Sequence, residues 1–290
     1  LKVTVPSACK LNLTLKINKA GDDGFHNLYS VFLKLPQMEK LTINVSDSKN
    51  VKDKIVTHNC RIFGKNILTS VLESIHKVDR EIPAVNVDIW KTLPPGTGLG
   101  GGSGNAAALI RWFYFFSKEH NEFNFNSVKF GSDIPFLLSD TNLALVTGKG
   151  EIIEPLKLNM SHIEAVLFIP VWRASTAKSY AQLDKYRAFR EIYADPDPLE
   201  LKEEALNIVD DLSKGKRCGL LPNDFSPLLL NDHPEYGELF ELLSNTEALA
   251  WGISGSGSSA FALYDKKRIF LSNFREFSGL NWIEQIILQG

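Results

Sequence analysis

Little in this chain points to an oxidising compartment, a membrane or a polyanionic partner. Its three cysteines, Cys9, Cys60 and Cys218, are odd in number and far apart, without the close pairing of a zinc knuckle or a redox dithiol, so they read as reduced thiols. No run approaches the ~20 apolar residues of a membrane span, and the opening Leu-Lys-Val-Thr-Val-Pro is strand-like rather than a signal peptide, so a soluble, cytoplasmic protein without a membrane partner is the expectation. There is no charge excess: the formal net charge is -2. A global basic field for nucleic acid is therefore missing, and any bound phosphate must be held locally. Internal repeats and low-complexity segments are absent too.

What is present is enough apolar sequence for a core. Of 290 residues 44% are hydrophobic, and at roughly 100 to 200 residues per domain that suggests two domains, here bounded as 1–157 and 158–290. Leu11, Leu13, Leu15 and Ile17 alternate with polar residues from Lys10 on, the pattern of a half-buried strand. A polar break at Lys19 to Gly24 precedes a second extended run, Leu28 to Leu35. Helical spacing recurs over Ile67 to Val78, Ala106 to Phe116, Ala177 to Leu183, Leu199 to Leu212 and Tyr236 to Asn245. Strand patterns cover Val85 to Trp90, Asn142 to Gly150, Ala165 to Val171 and Ala260 to Tyr264. The aromatic run Trp112 to Phe116 reads as the face of a core helix.

One segment carries chemistry. Leu93 to Asn105 reads Leu-Pro-Pro-Gly-Thr-Gly-Leu-Gly-Gly-Gly-Ser-Gly-Asn, six glycines between a predicted strand and a predicted helix. Glycines reach positive φ and let backbone N–H groups approach an anion, and the helix that follows aims its free N–H groups and positive dipole end at the same place. A phosphate chain is the natural guest. The loop lacks the terminal Gly-Lys-Ser/Thr of a Walker A sequence.

Pro-Pro-Gly-Thr-Gly-Leu-Gly-Gly-Gly-Ser-Gly-Asn-Ala-Ala resembles the second motif of the GHMP kinases, the superfamily of galactokinase, homoserine kinase, mevalonate kinase and phosphomevalonate kinase. Ser7-Ala8-Cys9-Lys10-Leu11-Asn12-Leu13 is similar to the Pro-Ala-Lys-Ile-Asn-Leu signature of the diphosphocytidyl-methylerythritol kinase branch. Ile253 to Ala260, with its Gly-Ser-Gly core, resembles the superfamily's third motif. The resemblance implies an α+β GHMP kinase fold, with an N-terminal domain like one found in a ribosomal protein, a C-terminal ferredoxin-like domain and a site between them. It implies ATP and Mg²⁺ as cofactors, a small-molecule substrate, no nucleic acid, and a monomer or weak homodimer.

Residue roles follow from the same resemblance. Gly131-Ser132-Asp133-Ile134-Pro135-Phe136 is similar to the branch's Gly-Ala-Asp-Val-Pro-Phe, whose aspartate faces the accepting hydroxyl, so Asp133 is the candidate base and Lys10 its cation; read alone, Asp133 is equally a helix N-cap. Pro94, Gly96, Gly98, Leu99, Gly100, Gly101, Gly102, Ser103, Gly104 and Asn105 would cradle the nucleotide, with Asn66 and Lys91 flanking adenine. Asp22-Asp23-Gly24-Phe25-His26-Asn27-Leu28 resembles the branch's cytosine-holding Asp-Gly-Tyr-His-Glu-Leu; Phe25 offers a stacking face and His26 a ring nitrogen for the base edge. Tyr180 would stack on the opposite face. Asn12 would bond the erythritol part, and Gly255, Ser256 and Gly257 would close on the substrate.

Four departures stand out: Gly104 in place of the family's second serine, Phe25 in place of tyrosine, Gly21 where an arginine is common upstream of Asp-Gly, and Cys9 before Lys10 in place of alanine. The Asp-Gly-Phe-His segment favours a cytidyl substrate over homoserine, mevalonate or phosphomevalonate. A nucleotide-binding sensor that has lost the reaction is the alternative from another class, against which Lys10, Ser103 and Asp133 stand together.

Overall fold

The computed structural model describes residues 1–46, 51–62, 64–117, 127–192, 195–269, 276–277 and 279–289. The chain falls into two compact units that interleave in sequence. The first comprises Leu1–Lys10, Lys34–Pro95 and Gly100–Thr141; the second comprises Leu11–Leu33, Gly96–Leu99 and Asn142–Gly290. The glycine-rich segment therefore changes unit twice.

In the first unit, β1 (Lys2–Asn12) enters first, and the later half of β3 (His26–Val45) pairs antiparallel with β5 (Val85–Trp90), Lys40 opposite Trp90 and Val45 opposite Val85. Strand β4 (Lys54–His58) adds parallel to β5, from Lys54 opposite Asn86 to His58 opposite Trp90. Helix α1 (Ile67–Val78) buries Leu68, Val71, Leu72 and Ile75, an i, i+3, i+4, i+7 stripe that differs from the predicted set, Ile67, Val71, Leu72, Ile75 and Val78, in taking Leu68 and leaving Val78 exposed. It packs on α2 (Gly101–Phe116), which also contacts the short α3 (Ile134–Leu138). Trp112 and Phe113 of α2 lie in the core, but Phe115 is 80% exposed, so the aromatic run is only partly a core face.

In the second unit, β2 (Lys16–Ala20) and β6 (Leu143–Gly148) pair antiparallel with the early half of β3, and β7 (Ile152–Pro155) pairs with β6. A separate five-stranded sheet has the order β12 (Ile283–Gln289), β8 (Ile163–Pro170), β11 (Ala260–Asp265), β10 (Ala250–Ile253), β9 (Gly219–Leu220). Helices α4 (Thr176–Phe189), α5 (Pro198–Ser213), α6 (Ser226–Asp232) and α7 (Glu235–Ser244) belong to this unit. The mixed sheets and helices are the α+β class that the sequence implied.

Two local differences from the sequence reading matter for the site. The alternating run from Lys10 to Ile17 is two strands, β1 and β2, with a break after Asn12. Its polar positions are not on a solvent face: Lys10, Asn12 and Thr14 are as buried as Leu11, Leu13 and Leu15. Buried polar side chains must find partners; Asn12 donates through Nδ2 to Ser30 Oγ (2.9 Å), and Thr14 Oγ1 accepts from the Val31 N–H (3.1 Å). The second difference is that α2 begins at Gly101, five residues before the predicted start at Ala106, so the helix takes in half of the glycine run.

Candidate active site

The first unit brings together three sequence-selected residues. Lys10, near the end of β1, places Nζ 4.0 Å from Oδ2 of Asp133. Asp133 occupies the N-cap position of α3, but its side chain makes no capping hydrogen bond. Its carboxyl is 24% exposed while Lys10 is buried, so the carboxylate has an open side and the ammonium does not. Burial lowers the pKa of Lys10, with the Asp133 charge opposing that shift. Gly100 lies against both: a Cβ there would stand 3.1 Å from Asp133 Oδ2 and 3.4 Å from Lys10 Cγ, and its φ of +69° is left-handed. Only glycine satisfies both demands.

Gly100 is also the N-cap residue of α2, and the first intrahelical bond runs from the Gly104 N–H to Gly100 O (2.8 Å). The N–H groups of Gly101, Gly102 and Ser103 precede it and are the donors that a helix N-terminus leaves for an anion. Nothing approaches a Cβ position on Gly102 within 4 Å, so this side of the turn is open. The Ser103 hydroxyl lies 3.3 Å from where a Gly131 Cβ would be, which ties the loop to the Gly-Ser-Asp segment.

Gly104 has a different reason to be glycine. A Cβ there would lie 1.8 Å from Ala8 O, so α2 and β1 touch backbone to backbone, and the missing serine reflects close packing rather than a lost phosphate contact. Cys9 is buried beside Gly101, with Sγ 3.8 Å from a Cβ position there; burial pushes its thiol pKa up, which makes it an unreactive neutral group.

Lys91 and Asn105 lie beneath the loop rather than on it. The Lys91 ammonium donates to Glu39 Oε2 (2.6 Å) and to Asn105 Oδ1 (3.3 Å), all three side chains being buried. Asn66 caps α1, its Oδ1 accepting from the Leu68 N–H (3.0 Å). It also lines an open cavity of about 550 Å³ with Ile55, Thr57, Arg61, Lys65 and Thr69.

The second unit gathers the remaining candidates. His26 and Tyr180 stack with ring centroids 4.8 Å apart. Both His26 nitrogens are engaged, Nδ1 with Asn18 O at 2.8 Å and Nε2 with Asp184 Oδ2 at 3.3 Å. The ring therefore presents a face rather than an unused edge. Phe25 is 61% exposed, with the Lys149 ammonium 4.5 Å from its ring centroid and paired to Asp23. Sequence reasoning missed Asp184 and Lys149, although Asp184 follows Tyr180 by four residues on α4 and so shares its face.

The third glycine-rich motif is built onto the segment Gly96–Leu99. The Ser254 hydroxyl accepts from the Asn12 N–H (3.2 Å) and donates to Gly98 O (3.2 Å), and the Ser259 N–H donates to Thr97 O (2.9 Å). A Cβ on Gly98 would meet Ser254 O at 2.1 Å. Pro94 belongs to the first unit, and Leu99, in the second, is fully buried. Ser256 contacts Thr176 through their hydroxyls (3.1 Å) and accepts from the Ser179 hydroxyl at its carbonyl (3.4 Å). Asn223 donates through Nδ2 to Ile253 O and Gly255 O, which fixes the turn that runs on to Gly257. Among the described residues, no group of three His, Cys, Asp or Glu is placed to hold a metal ion.

Residues 66–133 match the family described as GHMP kinases N terminal domain, and residues 221–274 match GHMP kinases C terminal. A 4-diphosphocytidyl-2-C-methyl-D-erythritol kinase of Nitratidesulfovibrio vulgaris is 30% identical over 286 residues, covering 96% of this chain and 95% of that protein. One from Leptospira interrogans is 29% identical over 298 residues, covering 96% and 98%. A crystal structure of 4-(cytidine 5'-diphospho)-2C-methyl-D-erythritol kinase, 22% identical, shares the fold over the whole of both chains with a TM-score of 0.75. A homoserine kinase from Cytophaga hutchinsonii, 15% identical, covers all of this chain and 94% of its own with a TM-score of 0.61.

Proposed function

The chain belongs to the 4-diphosphocytidyl-2-C-methyl-D-erythritol kinase family of GHMP kinases, and from that premise we propose that it transfers the γ-phosphoryl group of ATP to the 2-hydroxyl of 4-diphosphocytidyl-2-C-methyl-D-erythritol, a step toward isoprenoid precursors. The observation that carries the reading is the Lys10–Asp133 pair set against Gly100, with the Asp133 carboxylate unused as a cap. In the reaction the substrate oxygen bonds to the γ-phosphorus, the bond from that phosphorus to the β–γ bridging oxygen breaks, and ADP leaves. Asp133 takes or orients the hydroxyl proton, and Lys10 balances charge as the oxygen attacks.

The transition state is loose, so most of the work is positioning and charge stabilisation. The N–H groups of Gly101, Gly102 and Ser103 hold phosphate oxygens, and Pro94, Gly96, Gly98 and Leu99 shape the rest of the cradle. Magnesium would arrive on the nucleotide, keeping several of its waters and supplying charge neutralisation at the phosphates. In this reading adenine lies beside Asn66, in the cavity that residue lines. Phe25 and Tyr180 offer stacking faces for cytosine, His26 orients Tyr180, Asn12 serves the erythritol part, and Gly255, Ser256 and Gly257 bound the site. The work is done in the cytoplasm.

A coupled ADP-release assay with ATP, magnesium and the cytidyl compound, run beside homoserine, mevalonate and phosphomevalonate, tests this. Turnover with the cytidyl compound alone supports the assignment. Turnover with one of the others instead keeps the kinase and discards the cytosine site.

A further inference from the structure

Strand β3 carries a carboxylate to which no role has yet been given. Glu39 is buried at its side chain, a place where an ionised group persists only if paired and hydrogen-bonded. Four donors converge on it. Oε2 accepts from Lys91 Nζ at 2.6 Å and from Asn105 Nδ2 at 2.8 Å, and Oε1 accepts from the backbone N–H groups of Thr92 at 3.1 Å and Leu93 at 2.9 Å.

Those donors come from the two ends of the part of the glycine-rich segment held by this unit. Thr92 stands just before it, Leu93 opens it, and Asn105 lies at its far end, one helical turn after Gly101. Asn105 also donates to Ser7 Oγ (2.9 Å), which brings β1 into the same network three residues before Lys10. A Cβ on Gly101 would lie 3.4 Å from Lys91 Nζ, so the buried ammonium sits directly under the first residue of α2. Moving the carboxylate moves both stems of the turn and the charge beneath it.

We propose that Glu39 is a positioning residue for nucleotide binding: it clamps the stems of the glycine turn and neutralises Lys91, so that the N–H groups of Gly101 to Ser103 are held in the geometry that receives phosphate. The inference rests on the nucleotide role given to this turn, but not on which alcohol is phosphorylated. It gives Lys91 and Asn105 the work of support beneath the loop.

The test is a nucleotide titration of the full chain, with steady-state kinetics alongside, on Glu39→Gln and on the double variant Glu39→Gln with Lys91→Met. The double variant removes both buried charges together and so keeps the test alive if the single variant does not fold. The expected result is a rise of at least tenfold in Kd and KM for ATP, with KM for the cytidyl compound within twofold of wild type. A purely structural role lowers the active fraction, so kcat falls while both KM values stay put; that pattern, or an unchanged ATP affinity in the folded double variant, overturns the proposal. If wild type fails to turn over the cytidyl compound yet binds ATP in a Glu39-dependent way, the substrate assignment falls and the clamp stands.

Discussion

Replacing Gly104 by alanine sets two effects of opposite sign against each other. Gly104 lies inside α2, where alanine is favoured over glycine by roughly 0.5–1 kcal/mol through the unfolded chain's lost freedom. Against that, the new Cβ would lie 1.8 Å from Ala8 O, whereas ordinary contact begins at 3.4 Å, so helix and strand would have to part by about 1.6 Å. Both colliding groups are tied to backbone, and no rotamer relieves them. Overpacking of this kind typically costs about 1–3 kcal/mol, and the backbone contact puts this case at the upper end. The clash wins, leaving a net loss of about 2 kcal/mol, or a Tm lower by about 4–8 °C. Ala8 precedes Lys10 by two residues on β1, so the shift reaches the site and kcat falls as well. Thermal unfolding followed by circular dichroism, with the ADP-release assay alongside, checks it. An unchanged or higher Tm would refute the close-packing account and return the missing serine hydroxyl to a phosphate-binding explanation.

Asp133→Asn is expected to lower kcat by about 10²–10⁴-fold, the usual contribution of a positioned acid–base group, with ATP binding retained in a titration; an unchanged kcat removes the base or orienting role. Phe25→Ala should raise KM for the cytidyl compound roughly tenfold or more, since base–aromatic stacking contributes about 1–3 kcal/mol, while KM for ATP stays within twofold. Equal effects on both would sink the stacking assignment. Lys34 supplies a pH test, because burial, then the nearby Arg111 charge, brings its pKa down from 10.5 to about 8. Between those values the unfolded chain binds the extra proton, so this group's contribution to stability improves as pH rises from 8 to 10.5 and is flat below. With the side chain partly exposed and its ammonium on Ser139 O at 2.6 Å, the screened effect is about 1 kcal/mol. Urea midpoints for wild type and Lys34→Met should therefore converge or cross above pH 8, and a constant difference across that window contradicts the lowered value.

Much of the architecture was legible because its signals are local. The helical spacing of α1 and the alternation of β5 depend on residues within one element, and the structure reproduces both elements within their expected bounds. The start of α2 was misread because three of its first four residues are glycines, which propensity assigns to a loop; Gly100 in the left-handed region and the Gly104–Ala8 approach are tertiary facts that no propensity carries. The same holds for β1, where alternation predicted a wet polar face. Lys10 and Asn12 on the strand, and Thr14 just beyond it, are all buried, and Asn12 and Thr14 have polar partners there in Ser30 and the Val31 N–H.

The invisibility of Glu39 has a specific cause. Neighbouring residues of a strand point to opposite faces, so Glu39 shares a face with the buried Leu41, Ile43 and Val45, but the extended run predicted from the sequence ends at Leu35 and leaves Glu39 outside it. Gln37, with φ of +56°, is a left-handed residue inside β3, and the two residues that follow it, Met38 and Glu39, are both buried. A non-glycine residue rarely adopts that conformation. The left-handed residue at 37 lies immediately before the inward series that Glu39 opens, and from that position Oε1 accepts from the Thr92 and Leu93 N–H groups. Gln37→Gly should therefore leave the clamp intact, whereas a β-branched residue at 37, which resists positive φ, should weaken ATP binding in the same direction as Glu39→Gln. If Gln37→Val binds ATP as wild type does, the link from strand distortion to loop geometry is broken, even if Glu39 itself keeps its role.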